Sequence, residues 1–337
     1  MKRKSVFIIA EIGINHNGRI KNAFNLIKKA KFCGADAVKF QSFIPEQVVT
    51  KNLGLASYQK TNIKKNRSSM LGMLHKYKIS FKNQFRLFEE CRKNKIQFIS
   101  SAFDLESLSF LINGLKLKTL KIPSGEITNF PYLVKIAKSK KKLILSTGMS
   151  TTKEISQAIN VLIKYGAKKK KINLLHCNSS YPTPIEDVNL NAINFLKKKF
   201  KLNVGLSDHT NSTIIPAAAV AAGANIIEKH FTLNTNQEGP DHKSSLDPIK
   251  FKNMVLNIRQ VERAIGKENK SITLSEKNNQ KFSRKSIVAK KKIKKGEKFS
   301  LDNLTTKRPG NGISPMNWNR ILSQKSTKNL NKDDLIK

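Results

Sequence analysis

The chain has 337 residues, of which 39% are hydrophobic and 26% are charged, as is typical of a globular protein with one large domain and a small one. Its apolar runs are too short to span a membrane, and three widely spaced cysteines predict free thiols in a reducing cytoplasm. The net charge is +41, but 54 of the 64 basic residues are lysines, which favours solvated faces and anionic small substrates over a specific nucleic-acid surface.

Short apolar runs alternate with longer stretches at helical spacing. The first run follows a basic start that is superficially like a signal peptide, but Glu11 interrupts it and no cleavage site follows, so it predicts a strand. The predicted strands are residues 5–13, 37–43, 97–103, 119–126, 142–149, 172–178, 203–210 and 226–232. Eight strands that are each followed by a helix predict an α/β fold, a (β/α)8 TIM barrel. A doubly wound open sheet is the alternative, but it would normally carry a glycine-rich phosphate turn, which this sequence lacks.

Changes in composition divide the chain into domains. The predicted barrel occupies residues 1–266 and contains a long polar insertion, residues 44–80, whose length is typical of a lid or a substrate wall. Residues 267–283 are polar and predict a linker. Residues 284–337 predict a small β-rich domain, whose core is marginal by itself and is therefore expected to dock on something.

Polar residues fall near the C-terminal ends of the predicted strands, although these strands should be buried. Barrel enzymes build their active sites at that end. Alternation along each strand, and the residues that follow it, give this set: Glu11, Lys39, Gln41, Lys121, Ser124, Glu126, Ser146, Ser207, His209, Glu228 and His230. We therefore expect a shared site at the mouth of the barrel.

Two histidines suggest a metal site. His209 and His230 end the seventh and eighth strands, and closure of the barrel would bring Glu11 beside them. Two neutral imidazoles with oxygen ligands suit a divalent ion that keeps open positions. Either histidine alone would better suit a hydrogen-bonded structural role, so the metal prediction rests on the pair. His16 is a third candidate, better suited to a hydrogen bond within its loop.

Two inward lysines suggest an anion site. Lys39, Lys121, Ser124, Ser146 and Ser207 form a set of cations and hydroxyls that could hold a phosphate and a carboxylate together. A buried salt bridge is the alternative for each lysine. Glu11 and Glu126 would then act as general base and general acid, with pKa values tuned by the metal and the lysines. Cys177 is interpreted as packing.

Eight segments, in order, closely resemble one enzyme family. They are AEIGINHNG, AVKFQSF, KIPSGEITNFP, LILSTGMS, LHCNSSYPTP, VGLSDHT, EKHFTLNTNQEGPDHKSSLDP and KRPGNGISP. Together they resemble the N-acetylneuraminate (sialic acid) synthase family over essentially the whole chain, and the tail resembles the antifreeze-like (SAF) domain that those enzymes carry after the barrel.

The resemblance implies a cytoplasmic transferase of nonulosonate biosynthesis. It would condense phosphoenolpyruvate with N-acetylmannosamine and water, and would give N-acetylneuraminate and phosphate by C–O cleavage. N,N'-diacetyllegionaminate synthase, or another nonulosonate synthase, is the alternative within the family. A metal-dependent pyruvate aldolase and a non-catalytic polyanion binder are the alternatives outside it.

The resemblance also implies roles for single residues. His209 and His230 match ligands of a divalent metal, with Mn²⁺ as first choice and Mg²⁺ or Co²⁺ as alternatives, and Glu11 and Glu126 match the acid/base carboxylates. The positions that match groups around phosphoenolpyruvate are Lys39, Lys121, Ser124, Ser146, Ser179 and Ser207, with Ser101 at a further barrel-end hydroxyl. The positions that match sugar contacts are Gln41, Tyr181 and Asp241. Arg308 would reach the barrel of the partner subunit in a domain-swapped homodimer.

Overall fold

The structure is a computed structural model that describes residues 5–62 and 69–336. Its chain divides into two compact units, Met1–Gly266 and Lys267–Lys337. Among the helices of the described residues, none combines the length and the apolar character that crossing a lipid bilayer requires.

The first unit is a closed barrel of parallel strands. The strands follow one another around the barrel in chain order: β1 (Phe7–Gly13), β2 (Ala37–Ser42), β3 (Gln97–Ala102), β4 (Thr119–Ile122), β5 (Lys142–Ser146), β6 (Ile172–Cys177), β7 (Asn203–Asp208) and β8 (Ile226–His230). Pairing of β1 with β8 closes the ring, and Glu11 lies opposite His230 in this pairing. The predicted (β/α)8 fold is therefore confirmed.

Helices surround the barrel. They are α1 (Ile20–Phe32), α2 (Pro45–Val48), α3 (Ser57–Asn62), α4 (Met70–Tyr77), α5 (Phe81–Lys93), α6 (Leu105–Ser109), α7 (Phe130–Lys138), α8 (Thr152–Lys164), α9 (Asn191–Phe200), α10 (Ile215–Ala221) and α11 (Pro248–Ala264). Helix α8 shows why they form. A capping box of Thr151 and Glu154 starts it, and Ile155, Ile159 and Leu162 recur on the face that it buries.

Two local features shape the mouth of the barrel. Strand β4 ends at Ile122, earlier than predicted, because Pro123 has no N–H for the ladder and a single 3₁₀ turn, Ser124–Glu126, follows. In β1, the register against β2 shifts between Glu11 and Gly13. Gly13 has φ +52°, which favours glycine, and a β-carbon there would lie 3.1 Å from Oε1 of Glu11.

The insertion after β2 forms a small cluster of its own. Phe43, Leu55, Met73 and Tyr77 are buried together with Ile14. This part of the chain includes α2, α3 and α4, and its residues 63–68 lie outside the described residues.

The second unit has a small apolar core around β9 (Ser286–Ala289) and β10 (Leu304–Lys307), which pair antiparallel, and α13 (Trp318–Leu322). Part of the predicted linker is a helix, α12 (Leu274–Ser283), which starts with a capping box of Thr273 and Glu276. None of the residues of α12 is buried. A helix without a buried face needs no apolar periodicity, and for that reason the sequence pattern did not predict this one.

Candidate active site

A cavity of about 380 Å³ opens at the C-terminal ends of the barrel strands. The predicted site residues that line it are Glu11, Lys39, Gln41, Ser101, Lys121, Ser124, Ser146, Ser179, Tyr181, Ser207, His209, His230 and Asp241. The other lining residues are Ala56, Tyr58, Phe103, Pro123, Gly125, Met149, Cys177 and Glu228. The alternation of side chains along the strands thus delivers most of the predicted set to one place.

Two lysines and two carboxylates form the floor of this cavity. Nζ of Lys39 lies 2.9 Å from Oε2 of Glu11 and 3.6 Å from Oε1 of Glu228, and all three side chains are buried. Nζ of Lys121 lies 3.7 Å from the same Glu228 oxygen. The lysines therefore line the cavity and also take part in buried ion pairs, the alternative drawn from the sequence, and the anion site stays a prediction.

The two carboxylates of the floor differ in their protonation behaviour. Burial raises the pKa of Glu11 to about 7, although Lys39 opposes the rise. Burial would also raise the pKa of Glu228, but Lys121, Lys39 and a hydrogen bond from Ser207 outweigh it and lower the pKa. Glu228 is therefore the permanent anion, and Glu11 is the group that can exchange a proton near neutral pH.

Hydroxyl groups complete the floor. Lys121 donates a 2.6 Å hydrogen bond to Oγ of Ser146, and Lys39 donates one of 3.3 Å to Oγ of Ser101. Oγ of Ser207 donates to Oε1 of Glu228 at 2.9 Å. Two ammonium groups and several hydroxyls that converge in a buried, partly open cavity form a suitable environment for a small molecule with a phosphate and a carboxylate.

The two predicted metal ligands lie side by side. The ring centroids of His209 and His230 are 5.4 Å apart. Burial lowers the pKa of His209 to about 4, and burial together with His209 lowers the pKa of His230 well below its usual value. Both imidazoles are therefore neutral at neutral pH, which is the form that binds metals.

The two rings fit a divalent metal. Nδ1 of His209 lies 2.5 Å from the carbonyl of Asn178 and donates to it, so Nε2, which lies 3.4 Å from Oγ of Ser207, carries the lone pair of the ring. Nδ1 of His230 is buried and has no hydrogen-bond partner among the described residues. His209 and His230 are therefore the residues that would hold such an ion, each through one ring nitrogen.

The remaining metal ligands would not all come from side chains. Within residues 5–62 and 69–336, no group of three or more His, Cys, Asp or Glu side chains is arranged to hold a metal ion. A centre with two imidazoles would keep positions for substrate oxygen and water, as catalytic metal sites do.

Aromatic side chains form one wall of the cavity. Tyr58 of α3 stacks on Tyr181 with centroids 5.2 Å apart, and the Tyr181 ring lies 4.3 Å from the ring of His209. Asp241 is buried nearby, and burial raises its pKa to about 6. The insertion, through Tyr58, therefore does contribute a wall to the cavity, as its length suggested.

Two predicted site residues lie elsewhere. Glu126 does not line the cavity, although Ser124 and Gly125 of the same 3₁₀ turn do. Its Oε2 instead accepts a 2.6 Å hydrogen bond from Asn129, the N-cap residue of α7. Arg308 belongs to the second unit, where its Nε donates to the carbonyl of Ser283 at 3.2 Å. The acid/base role of Glu126 and the reach of Arg308 into a partner barrel stay predictions.

Three lining residues with functional groups were given no role in the site by sequence reasoning. Glu228 shares the inward face of β8 with His230, and strand alternation identified it, but no role was assigned. Cys177, interpreted as packing, lines the cavity with its Sγ 3.3 Å from Oγ of Ser124. Tyr58 lies in the polar insertion, where the sequence pattern gave no indication of which side chains turn inward.

Known proteins resemble this chain over its whole length. The model of the NeuB family matches residues 26–270, and the model of the SAF domain matches residues 284–337. An N,N'-diacetyllegionaminic acid synthase of Campylobacter jejuni is 51% identical over 335 residues, which cover 99% of each chain. A synthase with the same name from Legionella pneumophila is 42% identical over 326 residues, 96% of this chain and 91% of the relative. Among solved structures, this chain is similar to the crystal structure of an N-acetylneuraminic acid (sialic acid) synthetase from Leptospira borgpetersenii in complex with citrate. The TM-score is 0.73 and the sequence identity is 32%, over 82% of this chain and 90% of that chain.

Proposed function

The chain belongs to the NeuB family of nonulosonate synthases, and from this premise we propose that it condenses phosphoenolpyruvate with a 2,4-diacetamido-2,4,6-trideoxy hexose. The products would be N,N'-diacetyllegionaminate and inorganic phosphate. The reaction would be a group transfer with cleavage of the C–O bond of phosphoenolpyruvate.

One observation supports this chemistry above all. Two buried ammonium groups, Lys39 and Lys121, share a cavity with two neutral imidazoles, His209 and His230. Cations suit the phosphate and the carboxylate of phosphoenolpyruvate. Neutral imidazoles suit a divalent metal, for which we propose Mn²⁺, beside an aldehyde oxygen.

The choice of sugar differs from the first expectation. The sequence analysis put N-acetylmannosamine first, whereas the synthases from Campylobacter and Legionella favour the diacetylated alternative. The cavity wall agrees with this alternative, because Ala56, Phe103, Pro123 and Met149 give it apolar surface. A sugar that has a second acetamido methyl and lacks the C6 hydroxyl gains more from such a wall than N-acetylmannosamine does.

The residues of the floor would hold phosphoenolpyruvate. Lys39 and Lys121 would bind its anionic groups. Ser146, which accepts from Lys121, would donate its own hydroxyl hydrogen to the substrate, and Ser207 would donate to the substrate in place of Glu228. Because these groups are already in place, little reorganisation accompanies the reaction. Tyr181, Gln41 and Asp241 would orient the open-chain sugar against C3 of phosphoenolpyruvate.

We infer the following order of bond formation and proton transfer. C3 of phosphoenolpyruvate bonds to the aldehyde carbon, whose oxygen gains a proton, and the positive charge that develops at C2 is quenched by water. Glu11, with a pKa raised to about 7, accepts the proton that this water loses. The tetrahedral intermediate then collapses: the C2–O bond to phosphate breaks as the C2 hydroxyl becomes the keto group, its proton passes to the departing phosphate, and phosphate leaves with the bridging oxygen. A divalent metal held by His209 and His230 would supply Lewis-acid polarisation of the aldehyde.

Turnover with defined substrates tests this proposal. We expect phosphate release from phosphoenolpyruvate in the presence of the diacetamido sugar, and a kcat/KM at least about tenfold higher than with N-acetylmannosamine, since apolar groups in a pocket discriminate by about 10-fold to 200-fold. Equal or greater kcat/KM with N-acetylmannosamine would restore the first expectation. A pyruvate aldolase would form its product from free pyruvate, without releasing phosphate.

A further inference from the structure

A buried ion pair lies behind the two histidines, on the outer side of the barrel. Asp208 and Lys229 are 2% and 0% exposed. Each directly precedes one of the imidazoles, so by strand alternation its side chain lies on the opposite face, toward the helices rather than the cavity. The two residues are partners in the last described pair of the β7–β8 ladder.

The ammonium group of Lys229 joins the ends of the two strands. Its Nζ donates to Oδ2 of Asp208 at 2.5 Å, to Oγ1 of Thr210 at 3.3 Å and, over a short distance, to the carbonyl of Thr210. The other Asp208 oxygen accepts from the N–H of Thr210 at 2.9 Å. All three donors of the lysine are therefore directed at the residues on either side of His209.

A buried ion pair is by itself weak evidence for a contribution to stability. The neighbouring outward residues Leu206, Ile227 and Phe231 are apolar and belong to the main hydrophobic core. Removing two charges from water is costly, and well-packed apolar residues in place of a buried ion pair often give equal or greater stability. A chain that keeps Asp208 and Lys229 here is therefore expected to gain something other than stability.

We expect the contacts of Lys229 to fix the position of His209 instead. Strand β7 ends at Asp208, so His209 lies beyond the described ladder. Lys229 binds Asp208 and Thr210, the residues on both sides of His209, and it directly precedes His230. Strands β7 and β8 also lie close together earlier in the ladder, at Gly205, where a β-carbon would lie 2.2 Å from the carbonyl oxygen of Ile226.

We propose that Lys229 and Asp208 are positioning residues that fix the separation of the imidazoles of His209 and His230. The pair touches neither substrate nor metal, and it acts by tying the backbone on both sides of His209 to the residue before His230. The inference rests on the proposed function, because the two imidazoles matter as a pair only if they act on one ligand.

The test replaces both charges at once. Asp208→Asn with Lys229→Met keeps the size of both side chains and leaves no unpaired buried charge. The matched control is Arg259→Met with Glu262→Gln, which removes another ion pair of the first unit, where Nη1 of Arg259 lies 3.0 Å from Oε2 of Glu262. Urea unfolding, Mn²⁺ affinity by equilibrium dialysis and a crystal structure are measured for wild type and both double variants.

The inference predicts that Asp208→Asn/Lys229→Met unfolds at a urea concentration close to that of the control. Its Mn²⁺ affinity should fall about 10-fold to 100-fold, as for other residues that orient metal ligands, and its imidazole rings should move apart or take several positions. Thr210→Val, which removes only the hydroxyl contact, should shift Mn²⁺ affinity in the same direction by less.

Two results would overturn it. One is a double variant whose Mn²⁺ affinity equals that of wild type and whose ring separation agrees within about 0.5 Å, the tolerance of a functional site. The other is a double variant that no longer folds while the control does, since the pair would then serve stability. Failure of the proposed function would give a different result, because the wild-type protein itself would then bind no Mn²⁺ and release no phosphate. In that case the separation of the two imidazole rings in the crystal structures would still decide whether Asp208 and Lys229 position them.

Discussion

Replacement of Lys121 by methionine tests the anion site most sharply. Lys121 is 3% exposed, donates to Ser146 at 2.6 Å and lies 3.7 Å from Glu228. Methionine keeps the length and the apolar stem but removes the charge and the hydrogen bond. Glu228 retains Lys39 at 3.6 Å and Ser207 at 2.9 Å, so the variant should fold.

The magnitude follows from the contacts that are lost. A hydrogen bond to a charged group contributes about 1.5–3 kcal/mol, and two charges 4 Å apart interact by about 4 kcal/mol at an effective dielectric constant of 20. A loss of about 2–4 kcal/mol corresponds to a fall of about 30-fold to 1,000-fold in kcat/KM for phosphoenolpyruvate.

The assay is initial-rate phosphate release with phosphoenolpyruvate varied at saturating sugar. The control is Lys138→Met, which makes the same substitution at an exposed lysine in the last turn of α7. The control should match wild type. If kcat/KM for phosphoenolpyruvate in Lys121→Met stays within about threefold of wild type, well below the smallest expected effect, the assignment of the floor as an anion site is refuted.

Four further predictions concern other parts of the account. Tyr58→Ala removes the stacking partner of Tyr181. The KM for the sugar should rise about tenfold, since an aromatic pair contributes about 0.5–1.5 kcal/mol beyond its buried area. The KM for phosphoenolpyruvate, measured in the same phosphate assay, should not change. Glu11→Gln removes the proposed base and should lower kcat by about 100-fold to 10,000-fold, whereas retained kcat would assign the proton to another group. Arg308→Ala and Glu11→Gln chains should each be inactive alone. If Arg308 serves the partner's site in a dimer, co-refolding should restore about a quarter of wild-type activity, because about half of the dimers are mixed and each mixed dimer has one intact site. No recovery would argue against exchange of the small domain. Burial lowers the pKa of His16 from 6.5 to about 4, so at this residue the unfolded chain binds more protons than the folded chain in that interval. His16 alone should therefore lower the free energy of unfolding by up to about 3 kcal/mol between pH 6.5 and pH 4, in addition to the contributions of His209 and His230. His16→Asn should reduce the slope in urea titrations at several pH values by that share, and an unchanged slope would contradict the reasoning.

The sequence predicted the barrel and most of the cavity because strand alternation is a local rule. Once Glu11, Lys39 and Ser207 are assigned to inward faces, closure of the barrel brings them together without further information. The same rule failed at Glu126, because it assumes a strand that continues, and Pro123 ends β4.

Long-range packing was outside the reach of the sequence. Tyr58 turns into the cavity because of its stack on Tyr181, a residue more than a hundred positions away, and no local pattern predicts such a contact. The pairing of Lys229 with Asp208 is similar. Alternation puts both side chains on the outer face, but only the assembled β7–β8 ladder shows that they bind each other and Thr210.

The fate of the bridging oxygen tests the central claim most directly. The enzyme is incubated with the diacetamido sugar and with phosphoenolpyruvate that carries ¹⁸O between C2 and phosphorus, and both products are analysed by mass spectrometry. The account predicts that all of the label leaves in inorganic phosphate, with one equivalent of an unlabelled nonulosonic acid. Label retained in the sugar acid, or consumption of the sugar without phosphate release, would contradict it.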